Sequence, residues 1–131
     1  MKVKAPCAVP CIDCPYRKDS PSGLWSAEMY DMLSLYDLTP SEGQPLTAFL
    51  CHEQNGHLCA GWIGCHGADD LIGMQMLAVQ GDIDMTEYRK AQEHQPRVPL
   101  FESGKEAAEH GKRDIDNPSE RTQRRAEALL N

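Results

Sequence analysis

The chain has 131 residues, enough for one domain, with 40% hydrophobic residues but only two Phe and two Trp, so its apolar core is thin. Net charge is -7 and the pI is near 5.1. That disfavours broad binding to a phosphate backbone, which needs clustered Lys and Arg. The charge is uneven: about +2 over residues 1–20, about -8 over 21–100 and about -1 over 101–131, counting Lys and Arg against Asp and Glu. Nucleic acid is therefore an unexpected partner, and local positive charge is confined to the first segment and the last helix.

Met1-Lys2-Val3-Lys4 is basic, but no apolar run follows it as in a secretory signal. The longest apolar stretch, Leu71 to Val79, is too short to span a bilayer. The expectation is a cytoplasmic protein with no membrane association. In that reducing compartment six cysteines point to metal rather than to three disulfides.

Residues 1–24 are irregular, broken by Pro6, Pro10, Pro15, Pro21 and Gly23, and hold three cysteines. A segment of this kind needs an external clamp. A helix is predicted over Ala27–Tyr36 with Ser26 as N-cap. Its core stripe would be Trp25, Met29, Met32, Leu33 and Tyr36. Residues 39–45 are a loop, and Leu46–Leu50 is a candidate short strand leading into Cys51.

After the Cys51–Cys59 loop, Gly61 and Gly64 permit close packing and Trp62 is placed to cover the site. Asp69–Gln80 reads as a buried helix, with Met74 and Met76 as core filler. Asp84-Met85-Thr86-Glu87 has capping-box spacing and opens a helix to about His94. Ser103 is expected to cap another short helix. Asn117-Pro118-Ser119-Glu120 predicts a last helix capped by Asn117, carrying Arg121, Arg124 and Arg125 and a weak apolar strip of Ala126, Leu129 and Leu130. The fold class is thus mainly α with irregular, metal-clamped loops and one short strand or hairpin at most. A boundary is drawn near residue 82, between a cysteine-rich core (1–82) and a polar helical extension (83–131).

The chemistry-bearing pattern is Cys11-x-x-Cys14 read with Cys51 and Cys59. A Cys-x-x-Cys turn presents two sulfurs to one ion, and its backbone N–H groups stabilise thiolate. A tetrahedral zinc ion needs two more donors, which Cys51 and Cys59 supply across a loop turned by Asn55-Gly56. The expected ligands are Cys11, Cys14, Cys51 and Cys59. Arg17 and Lys18 would offset the charge of about -2 on such a centre. His52 is an alternative ligand. Cys65 and His66 would join the first ion or, with Cys7, make a second.

Cys7-x3-Cys11-x2-Cys14 also keeps an iron–sulfur cluster open, because that spacing holds such clusters elsewhere. A third reading has no metal, only buried thiols or a dithiol pair, though the βαβ context of a dithiol redox motif is missing.

Pro10-Cys11-Ile12-Asp13-Cys14-Pro15-Tyr16-Arg17-Lys18-Asp19, Pro21-Ser22-Gly23, Trp25, Phe49-Leu50-Cys51-His52 and Cys59-Ala60-Gly61-Trp62 resemble a small cysteine-rich domain family of unknown function. That family occurs in actinobacteria and their phages. The resemblance covers roughly residues 5–80. It implies the same four cysteines as metal ligands, with His52 beside them, and implies no activity.

Three functions follow as expectations. The first is a binding or regulatory module with a structural four-cysteine zinc site and a protein partner met through Arg17, Lys18 and Trp25. The second is an iron–sulfur redox or iron sensor. The third is an HNH-type nuclease in which His52 activates water. No catalytic residue is assigned, and Ser-His-Asp, P-loop and dinucleotide motifs are missing from the sequence.

Overall fold

The computed structural model describes residues 2–51 and 53–130. Among these the chain forms six α-helices: α1 (Ala27–Leu35), α2 (Ala60–His66), α3 (Ile72–Val79), α4 (Met85–Glu93), α5 (Gly104–Lys112) and α6 (Glu120–Leu130). Two single 3-10 turns, Pro40–Glu42 and Ala68–Asp70, join them. The mainly helical expectation holds.

Local signals set several helix starts. The side chains of Ser26, Asp84 and Ser103 accept from the backbone N–H of Met29, Glu87 and Glu106, satisfying first-turn donors. At α6 the cap is Ser119, whose Oγ accepts from Thr122 N, and not Asn117. The N–H of Asn117 closes a turn onto Asp114 instead.

Four of the five expected α1 stripe residues pack on the core, with Tyr30 taking the place of Met32. Tyr30, Leu33 and Tyr36 are buried, Trp25 and Met29 half-buried, and Met32 exposed. Tyr30 faces inward because its hydroxyl accepts from Leu24 N and Trp25 N, tying the chain before the helix. Against this face lies α5, through Gly104, Ala107, Ala108 and Gly111, one side of a helix lined with small residues. A Cβ on Gly104 would collide with the Leu33 carbonyl, and one on Gly111 with the Tyr30 ring.

The expected strand at 46–50 reduces to an isolated bridge, Leu50 to Leu58. Leu46 is exposed, and the Thr47 carbonyl accepts from Tyr36 Oη instead of from a neighbouring strand. The helix expected over 69–80 is split. Buried Gln44 accepts from Ile72 N and donates to the Asp70 carbonyl, so its side chain caps both sides of the break. Leu71 and Met74 are buried, but Val79 is 83% exposed, so the segment is not buried all round. Leu129 and Leu130 on α6 are likewise exposed rather than packed.

The core centres on α2. Trp62 is fully buried and meets Tyr36 edge-on at 5.4 Å, and Tyr16 meets Phe49 edge-on at 6.0 Å. Residues 83–130 pack on the cysteine-bearing half at several places. Phe101 N donates to the Tyr16 carbonyl, Lys18 N to Pro99, and Thr122 Oγ1 to Ser22.

Candidate metal centre

Three extended segments place the later cysteines. Lys4 pairs with His57 and Leu50 with Leu58. Cys51 N donates to the His57 carbonyl and Cys59 N to that of Phe49, closing the 51–59 loop into a narrow hairpin-like turn at Gly56, where φ is +82°. The Cys-x-x-Cys turn closes by its own bond, Cys14 N to the Cys11 carbonyl at 2.9 Å.

These pieces bring Cys11, Cys14, Cys51 and Cys59 onto one cavity of about 120 Å³, which Cys7 also lines. Cys14 and Cys59 are buried; the other three are half-buried and all are free thiols. The Sγ atoms of Cys14 and Cys59 lie 3.7 Å apart, far beyond a disulfide bond. Cys14 and Cys51 both act on the Cys11 thiol, one raising and the other lowering its pKa. Among the described residues no three Cys, His, Asp or Glu side chains already surround one point closely enough to hold a metal ion.

Backbone amides point at the sulfurs. Gln54 N donates to Cys51 Sγ at 3.3 Å, and Glu53 N adds a second bond. Tyr16 N donates to Cys14 Sγ. These donors favour thiolate, but crowding and burial oppose it. Contact with Cys14, then burial, pushes the Cys11 thiol up. At Cys14 the Cys11 contact pulls down, yet the Cys59 contact and burial outweigh it, so the net direction is upward. Cys51 is raised by burial against the pull of its two amides, and Cys7 by burial, then by Cys51 and Cys11.

Gly61 in α2 makes room for the cluster. A Cβ there would stand 2.5 Å from Cys14 Sγ and 2.7 Å from Tyr16 Cβ.

Sequence reading missed the charged frame. The Asp13 carboxylate, inside the Cys-x-x-Cys turn, is fully buried and takes two bonds from Arg125 of α6, at 2.9 and 2.5 Å. Burial alone would raise this carboxyl, but Arg125 holds it below the usual range. Glu53, in the second cysteine loop, lies 3.7 Å from the same guanidinium and is raised by its bond to Asp13. One arginine thus ties both cysteine loops together, and the sequence marked it only as one of three arginines on the last helix.

The remaining predicted residues fall elsewhere. His52 lies outside the described residues. Cys65 and His66 sit on the last turn of α2, about 9 Å along the axis from Cys59. They line a different, open cavity of about 620 Å³ with Asp37, Asp69, Asp70 and Lys105. There Tyr16 Oη lies 3.1 Å from His66 Nε2; with the phenol donating, the ring's Nδ1–H faces Asp37 at 3.6 Å. Asp37 in turn accepts from Gly104 N and Lys105 N. Burial pushes Cys65 up to about 12, so it is a neutral thiol there.

Arg17 binds Asp19 and the Pro10 carbonyl, and Trp25 Nε1 donates to the Asp13 carbonyl. Of the three residues assigned to a partner, Lys18 faces solvent.

Compared with known proteins, residues 6–125 match the profile of a family of unknown function, DUF6283. The chain belongs to that family. The match takes in both cysteine loops and α6 as far as Arg125. No curated protein and no solved structure matches the chain. No helix among the described residues is long and apolar enough to cross a membrane.

Proposed function

We propose that this chain is a small binding or regulatory module built around one metal ion, zinc in the first place, held by Cys11, Cys14, Cys51 and Cys59. The observation that carries the reading is the 3.7 Å separation of the Cys14 and Cys59 sulfurs, unbonded, in a cavity lined by all four cysteines. Zinc–sulfur bonds of about 2.3 Å put the edge of a tetrahedron at about 3.8 Å. One ion would gather these four sulfurs round itself. A 4Fe–4S cluster puts each ligand sulfur on its own iron and so further apart, and the Cys14–Cys59 contact argues against that cluster.

The site chemistry fits an ion of this kind. Amides from Gln54, Glu53 and Tyr16 serve the sulfurs, and Arg17 and Arg125 are close enough to Cys11 to feel its charge. Four protein sulfurs leave no open coordination position, which argues for a structural role over catalysis. A partner protein would meet the irregular face beside the cysteines, where Lys18, Val9 and Ile12 are exposed. A cytoplasmic, bacterial or phage setting completes the proposal, because free thiols persist there.

Cobalt substitution tests it. Titrating the metal-free protein with Co²⁺ should give the intense visible bands of tetrahedral thiolate coordination at one ion per chain, with helical circular dichroism lost on chelation. A chain that binds no cobalt and keeps its full helicity with chelator present would remove the idea.

A further inference from the structure

We propose that α6 is a hinged strap: it lifts from the body as a unit while α1–α5 stay folded, and its lifting uncovers the acid pair Asp13 and Glu53 that joins the two cysteine loops. This does not rest on the metal reading above.

The way α6 is held sets it apart. Each of α1 to α5 puts a residue in the apolar core (Tyr30, Trp62, Met74, Ala91 and Ala107), whereas α6 puts none there among the described residues. Its one buried residue, Thr122, is seated by a polar bond, Oγ1 to the Ser22 carbonyl at 2.8 Å. Arg121 Nη2 donates to the Asp19 carbonyl at 2.7 Å, and Arg125 holds Asp13 and reaches Glu53. Ala126 is half-buried, then Leu129 and Leu130 stand 41% and 87% exposed, so the apolar strip leaves the body as the helix advances. Polar bonds are replaced by bonds to water when a segment opens; apolar burial is not, and α6 has little of it.

The hinge is equally defined. Ile115 is the last residue packed on the core, and Asp114 N donates to Ser22 Oγ just before it. Asp116 and Asn117 are exposed. Ser119 caps α6 with its own Oγ, so the helix keeps its cap when it moves. Beneath the strap the Asp13 side chain has no exposed area while Arg125 covers it. Lifting α6 puts Asp13 and Glu53 in water and removes the guanidinium that links the Cys11–Cys14 turn to the 51–59 loop. Whatever holds α6 open therefore acts on both cysteine loops at once.

Hydrogen exchange on the full-length chain, resolved along each helix and corrected for unstructured rates, tests the strap. The amides of α6 should share one rate, about a hundredfold faster than those of α1 and α5. Two variants separate local from global opening. Ile63→Val thins the core, so α1 and α5 should exchange about threefold to tenfold faster. There α6 should keep its wild-type rate, because the open-strap state retains the same core. Arg125→Ala should speed α6 about tenfold or more, and Asp13 should then react with a carbodiimide and an added amine, as it does not in wild type. An α6 that exchanges at the rate of α1, that frays in a gradient from Leu130, or that speeds up together with α1 in Ile63→Val would overturn the proposal. So would an Asp13 that stays unlabelled in Arg125→Ala.

Discussion

The two ends of α2 carry the same kinds of donor and treat them differently. Next to the first residue, Cys59 lies 3.7 Å from the Cys14 sulfur and shares a cavity with Cys11 and Cys51, and the partners offered there are thiols and backbone amides. At the last turn, His66 is bound by Tyr16 and faces Asp37, whose carboxylate is already held by α5. The first end has donors whose needs the protein leaves largely to one another. The second has donors the protein satisfies. A concentration of Cys and His in a sequence does not distinguish these cases; the identity of the nearest neighbours does.

Removing a sulfur from each end should break the comparison most sharply. Structural zinc contributes on the order of 10 kcal/mol of binding free energy to small domains. Cys59→Ser should therefore lose the ion and most of the cooperative unfolding transition, whereas Cys65→Ser should keep one ion per chain. Metal content and thermal melts of the two proteins read this directly.

Two glycines sharpen it further. Gly61→Ala drives a methyl against Cys14 Sγ and Tyr16 Cβ, which are held by burial, so a cost of about 1–3 kcal/mol with weakened metal retention is expected. Gly64→Ala meets the tip of the Leu100 side chain at 2.6 Å, which can rotate away, and should cost less. Denaturant titration of both variants, with and without chelator, separates packing from metal loss.

Arg125→Ala should come next. It leaves the Asp13 carboxylate buried without its partner and frees Glu53. The variant should melt lower than wild type and exchange metal faster, and Asp13→Asn in the same chain should restore part of the loss. A double-mutant cycle with no coupling would show that the pair does not link the loops.

The smallest effect is at His66. Its folded-state pKa is lowered by burial, with Asp37 pulling the other way. The neutral ring is thus favoured in the folded state, and its contribution is complete above the unfolded pKa of about 6.5 and falls away as pH drops below it. His94, lowered by burial and by Arg97, acts in the same direction. Stability of wild type should therefore decline between about pH 7 and 5, and His66→Gln should decline less over that window.

What the sequence revealed follows from range. Ser26, Asp84 and Ser103 cap helices through atoms three residues away, so short motifs disclosed them. That Cys11, Cys14, Cys51 and Cys59 line one cavity was legible because few residue types have so few alternative roles. Arg125 and Asp13 are 112 residues apart, and nothing in one Arg among three on a helix marks which carboxylate it meets. The α1 stripe was right except at Met32: helical spacing admits either Met32 or Tyr30, and a hydroxyl bonded to two backbone amides decided between them. The break before α3 escaped notice because a Gln side chain from a distant loop makes it.

X-ray absorption at the zinc edge, on protein expressed with zinc and purified without it, tests the central claim most directly. The account predicts one zinc per chain with four sulfur neighbours at about 2.3 Å and no lighter ligand. A shell containing nitrogen or oxygen, or a chain that retains no metal while its four thiols stay free, would contradict it.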